Sequence, residues 1–290
     1  MSHRQRTITR RRFTAVAAGA IAGSGIAGRT WGQADPPDNG RPFFFIVAAD
    51  PQLFWGPVEL WKKAVGEIGR LKPALTVVCG DLIQDPGNEE QARAYLDPAK
   101  ALDGKVPLYN LAGNHDVGSP PTPESLAWYE KHFGKPWYSL THGGCLFVVL
   151  DSNLLCKPNG APKLAEQQLA WLKQTLADAA KAKHAHRFVF LHHPICLKQI
   201  DEPNGYFNVP NPRRAELLKH FHDHKVTATF SGHYHRNALV TDGNLQLITT
   251  ASTGKPLGKD PTGFRIVKVY GNRIKHAYHG YDEMPVKVEL

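Results

Sequence analysis

The chain has 290 residues, 42% of them hydrophobic and 21% charged, a balance that suits one large α/β domain better than two small ones. Its formal charge of +9 suggests a polyanion partner until it is located: six arginines and no acid fall in residues 1–34, and setting those six aside leaves +3 for residues 35–290. No Lys/Arg stripe interleaved with aromatics remains, which argues against nucleic acid as a partner.

Residues 1–34 read as a twin-arginine export signal. Arg10 and Arg11 are followed by Phe13, a weakly apolar run of small residues, and Gly32 and Ala34 in a small-x-small arrangement before Asp35. The apolar run, about 15 residues, is shorter than the roughly 20 that cross a bilayer, so no stable membrane anchor is expected. The partner implied is the twin-arginine export machinery, and the location periplasmic or extracellular. Residues 35–42 form a linker, and a single domain is expected over 43–285.

Within that domain, strand-like runs alternate with helical ones. "FFFIVAA" (43–49) ends in Asp50, followed by Pro51 and Gln52. "ALTVVC" (74–79) ends at Asp81, with Gln84 and Asp85 just beyond. "VPLYNL" (106–111) leads to Asn114, His115 and Asp116. "CLFVVL" (145–150) precedes a helix over 163–182, where Ala165, Leu169, Leu172, Leu176 and Ala179 recur at three- and four-residue steps. "RFVFL" (187–191) ends at His192 and His193. A helix starts near Pro212 and runs to about His224, and "VTATFS" (226–231) leads to His233 and His235. After residue 236 the runs "ALVT", "LQLITT", "FRIVKVY" and "RIKHAYH" predict a β-meander. Of the four cysteines, Cys79 and Cys145 fall in apolar strands and read as small buried residues. Cys156 and Cys196 fall in predicted loops, where an oxidising compartment permits a bridge.

Polar side chains therefore gather where strands end, the place at which ligands bind in open α/β sheets. Singly, each motif is weak: His-His-Pro is commonly a surface pair, and Gly-Asp a turn. Their order and common placement make them one constellation.

The series "GD…GNHD…HHP…GHYH", led by "DPQ", resembles the calcineurin-like metallophosphoesterases, and most closely their calcineurin-like phosphoesterase domain-containing protein 1 branch, which also carries Asp-Pro-Gln. Further agreement lies in "LDSNL" (150–154), "EQQLAWL" (166–172), "YFN" (206–208), "SGHYHRNA" (231–238) and "GKDPTGFRIV" (258–267). The resemblance implies a four-layer α/β/β/α sandwich with two metal ions at its edge. Asp50, Gln52 and His235 would hold one ion, Asp81 would bridge, and Asn114, His192 and His233 would hold the other. Carboxylate, imidazole and amide oxygen suit Mn, Fe or Zn. Gln52 replaces the imidazole common in the wider family and, as a neutral and weaker donor, implies that the first ion is the looser one.

The implied reaction is hydrolysis of a phosphate ester by a hydroxide bridging the ions, with His115 as general acid. Many relatives carry an acid where Gln84 stands here, which leaves Asp116 or Asp85 to orient His115. Asn114, His115, Tyr206, Arg236 and Asn237 are candidate substrate contacts, with Phe54, Trp55 and Phe207 shaping the mouth. The expected protein is a monomeric phosphomonoesterase. The alternatives are a phosphodiesterase acting on cyclic nucleotides or glycerophosphodiesters, and a binding protein whose catalysis Gln52 has undone.

Overall fold

The structure, a computed structural model, describes residues 41–290. The export signal read in residues 1–34 and most of the linker lie outside the described residues. The strand β1 (Phe43–Ala48) shows why this segment is apolar throughout. Phe45 and Val47 enter one core, whereas Ile46 and Ala48 enter another, so both faces of the strand are covered. The helix α1 (Val58–Leu71) buries Trp61, Ala64, Val65, Ile68 and Leu71 along one stripe and ends at Lys72 in a left-handed conformation. It returns the chain to β2 (Thr76–Val78), and α2 (Glu89–Ala99) returns it to β3 (Leu108–Asn110). The three strands are parallel.

A single helical turn, α3 (Asn114–Val117), and α4 (Pro123–Phe133) lead into the second half. There β4 (Tyr138–His142) pairs antiparallel with β5 (Cys145–Val149), followed by the short α5 (Ser152–Cys156). The predicted long helix is α6 (Pro162–Lys181). It leads to β6 (Arg187–Phe190), α7 (Arg213–Asp223) and β7 (Ala228–Ser231), with β5, β6 and β7 parallel. The expected meander is instead two hairpins on different sheets. β8 (Ala238–Asp242) and β9 (Leu245–Thr249) extend the second sheet, while β10 (Gly263–Val269) and β11 (Ile274–Gly280) return to the first, β10 lying antiparallel to β1. The sheet orders are β11-β10-β1-β2-β3 and β4-β5-β6-β7-β9-β8.

These sheets stack face to face, and helices cover both outer faces, giving the four layers α/β/β/α. Phe45 sits at the centre of the inter-sheet core, its ring 5.3 Å from that of Phe147, 5.4 Å from Phe188 and 5.6 Å from Phe230. The helices α1, α2 and α4 pack on the first sheet, and α6 and α7 on the second. All four cysteines are free thiols, so the bridge entertained between Cys156 and Cys196 is not formed. Both pack in the apolar layer beneath α6 and α7, where burial pushes each thiol up to about 12. No helix among the described residues is long and apolar enough to cross a membrane.

Candidate dinuclear metal centre

Because β1, β2 and β3 are parallel, as are β6 and β7, the residues that follow them emerge at one edge of the sandwich. Ligand atoms of Asp81, His192 and His233 lie within 4.8 Å of one another, and so do those of Asp50, Asp81 and His235. The two groups share Asp81. Asn114 joins the first through Oδ1, 3.1 Å from His192 Nε2. All of these residues except Asn114 are buried. Close approach explains the glycines of the motifs: a β-carbon at Gly113 would collide with Asp81 Oδ1, and one at Gly232 with Asp50 Oδ2.

The backbone at this edge is unusual. Asp50, Gln52, Asp81, His233 and His235 are all left-handed, with φ between 38° and 64°. Non-glycine residues avoid that region, and strained positions of this kind cluster at functional sites. The main chain locks the arrangement: His233 N donates to both Asp50 carboxylate oxygens at 3.0 Å, and His115 N donates to Asp81 Oδ1 at 2.9 Å.

Each histidine is oriented by a carbonyl on its far side. His192 Nδ1 donates to Cys79 O at 2.8 Å, His235 Nδ1 to Lys255 O at 2.6 Å, and His233 Nε2 to Tyr206 O at 3.2 Å. The remaining nitrogens, His192 Nε2, His235 Nε2 and His233 Nδ1, therefore face the carboxylates, the arrangement that metal-binding histidines adopt. Burial acts to raise the Asp81 carboxyl, but the charge and hydrogen bond of His192, with His115 and His233, hold it well below the usual range. Burial also opposes charge on His192, yet Asp81 and Asp50 carry that imidazole up to about 9. Burial and the neighbouring His192 push His233 down to about 4, the two rings approaching to 3.1 Å between His192 Nε2 and His233 Nδ1. His193, in contrast, bonds Ser152 Oγ at 2.9 Å and lies tilted behind His233, which places it outside the centre.

Gln52 gives the sharpest test of whether cations fit. Its side chain is 4% exposed and its Nε2 donates to Gln84 Oε1 at 3.0 Å, but its Oε1 has no partner. An orphaned buried oxygen costs about 1–3 kcal/mol unless something positive meets it. A cation held by Asp50, Asp81 and His235 and reached by Gln52 would supply that partner, and the donor set of carboxylate, imidazole and amide oxygen fits the implied ions.

Neither carboxylate expected to orient His115 does so. Its Nδ1 donates instead to the backbone oxygen of Gln84 at 2.9 Å. Asp116 is consumed by the main chain, its Oδ1 accepting from Leu82 N and Ile83 N and its Oδ2 from Gly113 N at 2.7 Å. That carboxyl is raised well above its usual range by burial and by Asp81, and its role is to hold two motif loops together. Asp85 accepts from Gln91 Nε2 at 2.7 Å.

Two of the candidate substrate contacts are likewise structural. Asn237 bonds Asp260 through Nδ2 and accepts from Arg265 and Ala251 through Oδ1, which fixes its amide in the surrounding loops. Arg236 is tied to Leu257 O and lies over the Tyr234 ring. Tyr206 remains at the mouth, 67% exposed, its ring 4.9 Å from that of His233. On the opposite side Trp55 packs edge-on against His235, with Lys255 Nζ 4.5 Å from its ring centre. The roles of Ser252, which bonds Asp50 O at 2.7 Å, and of Lys255 escape sequence reasoning, because they act through main-chain groups and local turns.

Two stacked sheets with a carboxylate shared between two ligand groups at their strand ends have the plan of a metal-dependent phosphoesterase. The model of the family described as Calcineurin-like phosphoesterase matches residues 45–237. Serine/threonine-protein phosphatase CPPED1 of Rattus norvegicus is 38% identical over 266 residues, 84% of this chain and 85% of that protein. The chain belongs to the calcineurin-like phosphoesterase family and is a metal-dependent phosphoric ester hydrolase. The 3',5'-cyclic adenosine monophosphate phosphodiesterase CpdA of Escherichia coli (strain K12) is more distant, at 26% identity over 210 residues, 68% of each chain. A dimetal phosphatase from Danio rerio shares the fold, with a TM-score of 0.58 at 19% identity over 82% of this chain and 96% of that one.

Proposed function

We propose that the protein is a phosphomonoesterase carrying two ions of Mn, Fe or Zn, and that it works as an exported monomer. The observation that carries this reading is the sharing of Asp81 by two ligand groups. Asp50, Gln52, Asp81 and His235 would hold one ion, and Asp81, Asn114, His192 and His233 the other. Bound there, the ions supply a hydrolytic nucleophile near neutral pH and neutralise phosphate charge. The chain's own groups do the rest. His115, its Nδ1–H given to Gln84 O, keeps Nε2 for delivering a proton to the leaving oxygen. Tyr206, with its ring against His233, and Asn114, beside His192, would orient the phosphate. The similarity to serine/threonine-protein phosphatase CPPED1 favours monoesters, and the fainter one to CpdA supports a phosphodiesterase as the second reading.

Protein beginning at residue 35 is expected to contain two ions per chain by elemental analysis and to hydrolyse p-nitrophenyl phosphate faster than its bis ester. Chelation abolishes turnover, and adding back Mn, Fe or Zn restores it. Preference for the bis ester would replace the leading reading by the second; one ion or none, with no turnover after metal addition, would leave a binding protein. Export rests on Arg10 and Arg11. Changing both to Lys is expected to retain the protein in the cytoplasm of a bacterial host, and unchanged export removes the twin-arginine assignment.

A further inference from the structure

We propose that Gln84 is the positioning residue for Gln52, and that the two glutamines act as one unit that aims an amide oxygen at the ion held by Asp50. The inference rests on the reading of Gln52 as a metal ligand. An amide is a poor ligand by default because its two ends are nearly the same shape: only the oxygen has lone pairs to give, and a half-turn of the terminal torsion presents the NH2 group instead. Something must therefore recognise the nitrogen end. The segments at 50–53 and 81–84 run side by side, Gln52 N donating to Asp81 O at 2.7 Å and Leu53 N to Leu82 O at 3.2 Å, with Leu53 bridged to Ile83. That register sets Gln52 Nε2 3.0 Å from Gln84 Oε1 and leaves Gln52 Oε1 buried without a protein partner.

Gln84 is itself held. Its N–H and that of Asp85 both donate to Gln91 Oε1 at 2.9 Å, and Gln91 is buried on α2. The main-chain oxygen of Gln84 meanwhile accepts from His115 Nδ1 at 2.9 Å. One residue thus sets the direction of a metal ligand through its side chain and of the candidate acid through its backbone. The absence of an acid at position 84 and of a histidine at position 52 become a single change: a side chain is needed here to orient an amide, while the backbone suffices to orient the imidazole.

The test is titration with Mn(II) of protein stripped of metal, by calorimetry and electron paramagnetic resonance. Gln84→Leu is expected to weaken one of the two ions by about 10–100-fold, as loss of a ligand's orienting partner does, and to affect the other, coupled to it only through Asp81, less. Gln84→Glu, which keeps an acceptor oxygen, retains both ions. In a Gln52→Glu background, where the two ligand oxygens are equivalent and need no sorting, Gln84→Leu has little effect. Gln84→Met, of similar length and without an acceptor, repeats the comparison should Gln84→Leu not fold. Unchanged affinity in Gln84→Leu, or an equal loss in both backgrounds, overturns the proposal. Because the titration needs no substrate, inactivity of the wild-type protein bears on the phosphomonoesterase reading alone.

Discussion

Asp81→Asn is expected to reduce turnover of p-nitrophenyl phosphate by at least about 10³-fold, since loss of a cation's charge stabilisation removes several kcal/mol from the transition state. The reason is topological. Asp81 is the one carboxylate common to both ligand groups, and it lies 3.2 Å from His192 Nε2 through Oδ2 while its Oδ1 receives the His115 N–H. Asparagine preserves the shape and one acceptor oxygen. It removes the negative charge that two cations would share, and it places a donor where an acceptor is needed. Elemental analysis should therefore find at most one ion per chain. Two ions retained at normal turnover would mean that the groups are not bridged by Asp81.

His115→Ala should behave differently, losing activity without losing metal. The backbone oxygen that holds its Nδ1 leaves the opposite nitrogen as the one able to donate a proton, and the residue belongs to neither ligand group. General acid catalysis contributes about 10²–10⁴-fold where it operates, and only where the leaving group needs the proton. The expected pattern is a fall of that size in kcat for an alkyl phosphate, a much smaller one for p-nitrophenyl phosphate, and two ions throughout. Steady-state kinetics on the paired substrates measures it. Equal losses on both substrates would assign His115 to orientation of the phosphate, and no loss on the alkyl ester would remove it from the reaction.

The four-layer plan came from the family resemblance, while the strand ends that carry the site were legible because their signals are local. A largely apolar run of five to seven residues leading to a polar ligand reads the same way wherever it occurs, and the five such runs at β1, β2, β3, β6 and β7 predict one edge. The arrangement around the ligands was not legible. Which group orients His115 depends on a carbonyl, and carbonyls are identical in every residue. Asp116 and Asn237 look like chemistry in the sequence because acids and amides in a motif usually are. In the structure Asp116 answers three main-chain donors, and Asn237 is spent on Asp260, Arg265 and Ala251. The two closing hairpins were misread for a related reason: strand propensity says that a segment is extended, but the choice between sheets depends on a partner some 200 residues away, as Phe45 opposite Val267 illustrates.

The left-handed backbone at Asp50, Gln52, Asp81, His233 and His235 has a consequence for how the protein can change. Each such residue costs the fold on the order of 1–3 kcal/mol, and glycine would relieve it at any of the five positions. Glycine would also delete a ligand. Selection for a sturdier molecule and selection for a working centre therefore pull in opposite directions at the same five codons. A search for stabilising substitutions made without a metal-dependent screen has nothing to protect these positions, and a variant that gained backbone freedom there would have lost its reaction.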